Sequence, residues 1–392
     1  MKPTTPALAL AIALALPALA ACTHNTTSAK GGGGERTISV TSTDDSCTLS
    51  TDTAPAGNLV YQVQNKGSRV TEFYLYAEDG LRIVGEVENV GPGLSRDLVL
   101  NVPPGSYVPA CKPGMAGKGI RSDFTVTGSQ QTGRQGAVAG ATRRQVETAN
   151  RQYGSYVRDQ TEQLIAGTRR FVAAYKAGND DLARSLYART RVHWERIEPV
   201  AESFGDLDPR MDLREADLAQ GQRWTGWHRI EKDLWPPSKG YRALSQRQRA
   251  TYADRLLADT ETLAARVPKL RFTVDQIGNG AKSLLDEVAT GKVTGEEEAW
   301  SHTDLYDFQA NVDGARVAFE GLKPVLSHKD PVLERQIARR FAALQRLLDR
   351  YRVGKDGFVS YTDLSTSQVR ALSDAVNALS EPLSRLTAAV AL

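Results

Sequence analysis

The period of the hydrophobic pattern changes once along this chain, and that change limits what it can fold into. Between Arg36 and Thr127, short runs rich in β-branched and aromatic residues, such as Leu59–Val63, Val70–Tyr76 and Ser106–Ala110, are separated by Asn-Lys-Gly, Gly-Pro-Gly and Pro-Pro-Gly turns. Short strands with turn signals at close, regular spacing predict an antiparallel β-sandwich. Beyond Gln145 the apolar residues return every three or four positions, the period of a helix with one buried face. Helices are expected over Gln145–Ala174, Asp181–Glu202, Gly226–Leu234, Gln246–Arg266, Val274–Ala289, Glu296–Leu322, Pro331–Tyr351 and Ser367–Ala389. Gly and Pro punctuate most of the short connections, which favours an all-α helical bundle. A Gly- and Gln-rich stretch divides the two patterns. The expected organisation is therefore a β domain over 36–128, a linker over 129–144 and a helical domain over 145–392.

The first segment reads as an address. Lys2 precedes an unbroken apolar run, Ala7–Ala21. That run is shorter than the roughly 20 residues a membrane-spanning helix needs, so 1–21 is expected to be a signal peptide. It ends in Leu19-Ala20-Ala21-Cys22, which resembles a bacterial lipobox, with Cys22 as the lipid-bearing residue. Residues 22–35, with four consecutive glycines, would form a flexible tether. The expected location is extracytoplasmic, anchored to the cell membrane as a lipoprotein.

Several functions are excluded at this level. Lys+Arg 49 against Asp+Glu 46 leaves a net charge of +3 with both signs interleaved, which is no footprint for nucleic acid. Three cysteines cannot build a four-thiolate metal site. His-Glu-x-x-His, the inverted zinc-protease motif, Gly-x-Ser-x-Gly and a phosphate loop are all absent, so no enzyme activity is expected.

What stands out is carboxylate chemistry on two helices. In Arg191–Pro199 (RVHWERIEP), Glu195 and Glu198 are three residues apart, and His228 and Glu231 repeat that spacing in Gly226–Trp235 (GWHRIEKDLW). Side chains three apart share a helix face. Two such pairs on facing helices can surround one ion, as Glu-x-x-His pairs do in di-iron bundles. Three carboxylates with one imidazole suit iron, manganese or calcium, and accommodate zinc. The competing reading is a structural network in which these acids pair with Arg191, Arg196 or Arg229. His193 lies about 200° around the helix from Glu195 and points away from the pair.

These residues carry a family resemblance. Gly226-Trp227-His228-Arg229-Ile230-Glu231 resembles the Gly-x-His-x-x-Glu motif of imelysin-like proteins, and HWERIEPVAESFGDLDP with GWHRIEKDLW is similar to the EfeO components of bacterial Efe-type iron uptake systems. The resemblance implies a cupredoxin-like β domain before an imelysin-like helical domain. It implies an iron-binding component, for ferrous or ferric iron, that delivers its cargo to an EfeU-type permease, with an EfeB-type haem peroxidase as a further partner. Carried over residue by residue, it makes Glu195, Glu198, His228 and Glu231 the metal ligands, with Asp206, Glu298 and His302 as weaker candidates. An extracytoplasmic metallopeptidase is the alternative function.

The β domain departs from a copper protein's pattern. Cys111 and Met115, in CKPGM, fall where a cupredoxin's last ligands would, but no histidine occurs between Arg36 and Gly128. A blue-copper site needs two. Cys47 and Cys111 are therefore expected either to form a disulfide, to build a copper or second-metal site with Met115 and Glu72, or to remain free thiols. Auxiliary oxidation of ferrous iron would follow only from the second of these.

Overall fold

The computed structural model describes residues 36–78, 80, 83–115, 118–128 and 140–391. The signal peptide, Cys22, the tether and most of the linker lie outside the described residues. The first half comprises strands β1 Thr37–Ser42, β2 Cys47–Leu49, β3 Thr53–Pro55, β4 Gly57–Asn65, β5 Thr71–Ala77, β6 Ile83–Val90, β7 Ser95–Val102, β8 Gly105–Cys111, β9 Ile120–Arg121 and β10 Phe124–Thr127. One sheet runs β2-β1-β4-β7 and the other β3-β10-β8-β5-β6, with β9 added to β8. The sheets are mixed rather than purely antiparallel. β1 pairs parallel with β4, and β3 parallel with β10. Between β1 and β4 the chain visits the opposite sheet as β3, so it returns to β1 running the same way.

Alternation does the packing. Ile38, Val40, Leu59, Tyr61, Val63, Leu98 and Leu100 of the first sheet meet Phe73, Leu75, Val87, Phe124 and Val126 of the second in one core. Across it runs a Cys47–Cys111 disulfide that ties β2 to β8, 64 residues apart in sequence.

The second half is helical: α1 Gly140–Lys176, α2 Asp180–Glu195, α3 Leu207–Met211, α4 Trp227–Leu234, α5 Gln246–Arg266, α6 Val274–Thr290, α7 Asp304–Lys329, α8 Pro331–Leu348, α9 Thr366–Leu383 and α10 Leu386–Ala391. The helical pattern begins at Gly140, earlier than the expected Gln145. α2 stops at Glu195 and gives way to a 3-10 turn over Glu198–Phe204. Pro199 is the cause, because proline pushes the preceding residue out of the helical region and has no N–H to donate. The expected helix over 296–322 starts eight residues late, at Asp304, since 295–303 forms turns. Among the described residues no helix is long and apolar enough to cross a membrane.

Polar contacts join the halves. The Asn101 backbone N–H donates to Asp275 (2.9 Å), Asn279 to the Val99 carbonyl (2.8 Å), and Asn58 to the Ala391 carbonyl (2.9 Å).

Candidate metal centre

Five short stretches converge in the helical half. α2 supplies Arg191, Trp194 and Glu195 from its last turn. Asp212 caps the C-terminus of α3. α4 begins after Gly226, whose φ of 89° and tight approach to the Met211 carbonyl leave no room for a Cβ. That glycine turns the chain so that His228 and Glu231 project into the core one helical turn apart. The turns at 295–303 add Glu297 and Glu298, and Lys292 arrives from the 3-10 turn after α6.

His228 is the hub. It is 2% exposed, and its Nδ1 lies 3.2 Å from Glu231 Oε2. Glu231 Oε1 in turn accepts the backbone N–H groups of Trp300 (2.9 Å) and Ser301 (2.7 Å), which fixes the carboxylate behind the ring. On the other side, Nε2 has no hydrogen-bond partner. It faces Asp212 Oδ1 and Glu297 Oε1, each at 3.5 Å. Nitrogen and oxygen ligands about 2.1 Å from one ion stand roughly 3.0–3.4 Å from one another. An imidazole nitrogen that close to two carboxylate oxygens, and tied to neither by a regular hydrogen bond, therefore fits a metal. The ligand atoms of Asp212, His228 and Glu297 all lie within 4.8 Å of one another, as do those of His228, Glu231 and Glu298.

Two buried cations hold the surrounding acids. Arg191, with no exposure, pairs with Asp212 and reaches Glu297 (2.8 Å), Glu195 (2.6 Å) and Glu298 (2.6 Å). Lys292 Nζ bonds Glu195 Oε2 (2.8 Å) and both oxygens of Glu198 (2.8 and 2.9 Å). Burial by itself would push both cations down, but these carboxylates overcome it and hold them well above their usual ranges. The same neighbours sort the acids. Burial alone would raise Glu297, yet Lys292, His228 and Arg191 bring it down to about 2. Burial likewise works against Asp212, and Arg191 with His228 keeps it well below the ordinary range. Glu198, Glu298 and Asp307 are driven well above it, by burial first and then by neighbouring acids. Burial and Arg191 oppose a charge on His228, but Asp212, Glu231 and Glu297 prevail, so its pKa is raised.

The sequence-predicted residues divide into groups. His228 and Glu231 meet as their spacing requires. Glu195 and Glu198 are neighbours too, but they close on Lys292 and Asn311, which donates to both (2.9 and 2.7 Å). Glu298 reaches the His228 group from a turn rather than from a helix face. His302 is not its helical partner: the break before Asp304 leaves only a backbone bond from the His302 N–H to the Glu298 carbonyl. Asp206 sits at the surface, paired with Arg210 and Arg266. His193 bonds Gln160 of α1 (2.8 Å), away from the group.

In the β half the proposed four-residue site does not assemble. Cys111 is joined to Cys47, Met115 is 44% exposed, and Glu72 accepts from the Tyr74 hydroxyl (3.1 Å). The cysteines' short reach to each other across the sandwich decided between the open alternatives.

Asp212 and Glu297 escaped the spacing argument. Asp212 stands in a loop without helical register, and its only sequence signal was the acid-rich Phe204–Arg214 stretch. Glu297 lies within Glu296-Glu297-Glu298, which in a helix would be a solvated start. Lys292 left no signal at all.

Residues 149–386 match the imelysin family model, which carries a peptidase-family label. An Efem/EfeO family lipoprotein of Staphylococcus haemolyticus is 43% identical over 250 residues, 63% of this chain and 85% of its own length. The iron uptake system component EfeO of Escherichia coli K12 is 36% identical over 355 residues, covering 89% of this chain and 90% of its own. The protein of the same name from Shigella flexneri matches to the same extent.

Proposed function

The chain belongs to the imelysin family as an EfeO-type protein with a role in iron uptake, and on that premise we propose that it binds iron itself and delivers it to a membrane permease. The observation that carries this reading is Nε2 of buried His228, which makes no regular hydrogen bond and stands 3.5 Å from one oxygen each of Asp212 and Glu297. His228, Asp212 and Glu297 would take the ion, and Glu298 stands close enough to join. Glu231 holds the imidazole in orientation through Nδ1, and an arriving ion would displace the proton from Nε2. Mostly oxygen donors with one imidazole match the preference of ferrous and ferric iron. Arg191 holds the two facing oxygens where the ion needs them.

The finer assignments belong to the same proposal. The mature protein is anchored through Cys22 outside the cytoplasmic membrane, an EfeU-type permease receives the iron, and an EfeB-type haem peroxidase acts alongside. The β domain over 36–128 is cupredoxin-like in layout, joined through 129–144 to the binding domain over 145–392. Binding rather than peptide hydrolysis is the activity.

The test is anaerobic titration of chelator-treated protein with ferrous iron, followed by elemental analysis and thermal melting. One tightly held equivalent and a raised melting temperature are expected, because a ligand that binds only the folded state stabilises it. His228→Ala and Glu297→Gln should each remove most of that gain, while His193→Ala leaves it intact. Equal damage from His193→Ala, with the fold preserved, refutes the assignment. Turnover of peptides by zinc-loaded protein would favour the peptidase.

A further inference from the structure

We propose that the acidic cleft between β6 and the His228 group is the port for a hydrated metal cation, with Glu86 of the β half and Glu202 of the helical half as its outer capture point. This rests on the iron-binding reading above. It adds the form in which the metal is accepted: an aqua cation, not an anionic chelate.

The cleft has a volume of about 280 Å³ and takes walls from both halves. A hexa-aqua ion needs roughly 180 Å³, at about 30 Å³ per water, so the space admits a cation with its hydration shell. Glu86 and Glu202 line this cleft together, one from each half of the molecule. Acids gathered in one cleft repel one another, and a cation entering it relieves that repulsion. Exposure falls from Glu202 through Asp208 and Asp212 to buried Glu297, all lining the same cleft, so Asp212 and Glu297 form its inner wall.

Behind that wall is the independent sign of a ligand. Nε2 of His228, on a residue 98% buried, makes no regular hydrogen bond and faces an oxygen of each of these two residues at ion-pair distance. On other sides the group is packed against Tyr187, Trp194 and Trp227, all fully buried. The basic residue of the lining, Arg214, is already occupied by Asp217 (2.7 Å) and Glu297 (3.6 Å). A concave site lined by one sign of charge concentrates the opposite ion and repels its own. The β half thereby acquires a role that needs no copper: it completes the mouth.

Trp194 donates from Nε1 to Asp212 Oδ2 at 2.8 Å, so its fluorescence should report the arrival of iron. The experiment is stopped-flow quenching of the full-length, chelator-treated protein by anaerobic ferrous iron at low and high salt. Glu86→Gln/Glu202→Gln should slow arrival about tenfold at low ionic strength and flatten its salt dependence, since focusing by a charged cleft is worth at least that much. The single variants should fall between. Asp181→Asn, at the other end of α2 and about 21 Å along the helix from Glu195, should change nothing. Ferric citrate should quench at least tenfold more slowly than the free ion. A double variant with the rate and salt dependence of the unaltered protein overturns the port. So does an unchanged rate with lower iron content at saturation, which would move these acids into the inner group. Equal rates for citrate and free ion overturn the aqua-cation form. Failure of the unaltered protein to take up iron at all instead refutes the functional reading, and the port with it.

Discussion

Lys292→Met is the most incisive perturbation of the buried network. The ammonium is 1% exposed and lies 2.8 Å from Glu195, 2.8 Å from Glu198 and 3.7 Å from Glu297. At an effective dielectric of 20, a pair at 2.8 Å attracts by about 6 kcal/mol before solvation is counted. Methionine recovers the desolvation cost of the ammonium, several kcal/mol, but leaves the acids buried without their cation. Removing one partner of a buried pair typically costs about 3–5 kcal/mol. With an unfolding entropy on the order of 0.7 kcal/mol/K for a chain of this size, the metal-free melting temperature should fall by about 4–7 °C. The assay is thermal melting in excess chelator. The triple variant Lys292→Met/Glu195→Gln/Glu198→Gln should recover much of the loss, because no uncompensated charge then remains. Excess manganese should also restore part of the single variant's stability by taking the ammonium's place between Glu195 and Glu198. A shift below about 1 °C, or a triple variant worse than the single one, would refute the view that these glutamates are the counter-ions of Lys292.

Other outcomes follow from the same structure. Burial pushes Asp208 up to about 7 and Asp304 to about 6. A carboxyl raised in the folded state stabilises most below its unfolded pKa and loses that contribution as pH rises through the folded value. Raised His228 has the same sign, and His193, lowered to about 4 chiefly by burial, opposes it only below about 6.5. Metal-free protein should therefore melt lower at pH 8 than at pH 6.5, and a rise across that interval contradicts the burial of these acids. Cys47→Ser should cost the β half roughly 2–4 kcal/mol in denaturant unfolding, as expected for opening a 64-residue link. Copper-loaded protein should show no intense blue band, since no histidine lies between Arg36 and Gly128; a blue colour lost in Cys111→Ser would refute this. Cys22→Ser should move the protein from the membrane fraction to the soluble one, and an unchanged membrane pool would rule out the lipid anchor.

Local sequence determined what depends on near neighbours. The two hydrophobic periods announced a β half and a helical half, because a buried face must recur with the period of its own element. The i,i+3 spacing placed His228 beside Glu231, since one helical turn decides that contact, whereas Glu195 and Glu198 are neighbours across the end of α2. Pro199 carried the signal that ends α2, although the periodic pattern ran past it. Tertiary structure alone decided what each pair faces. Lys292 reaches Glu195 across 97 residues, and Glu297 meets Arg191 across 106. Neither distance leaves a trace in local spacing. Whether a buried acid serves a metal, a lysine or a proton depends on the charge that packing brings to it in a medium of low dielectric. For that reason Glu195 and Glu198, two acids on one helical turn by sequence, close on an ammonium, while Asp212 and Glu297, from a loop and a turn, are held by Arg191 facing His228.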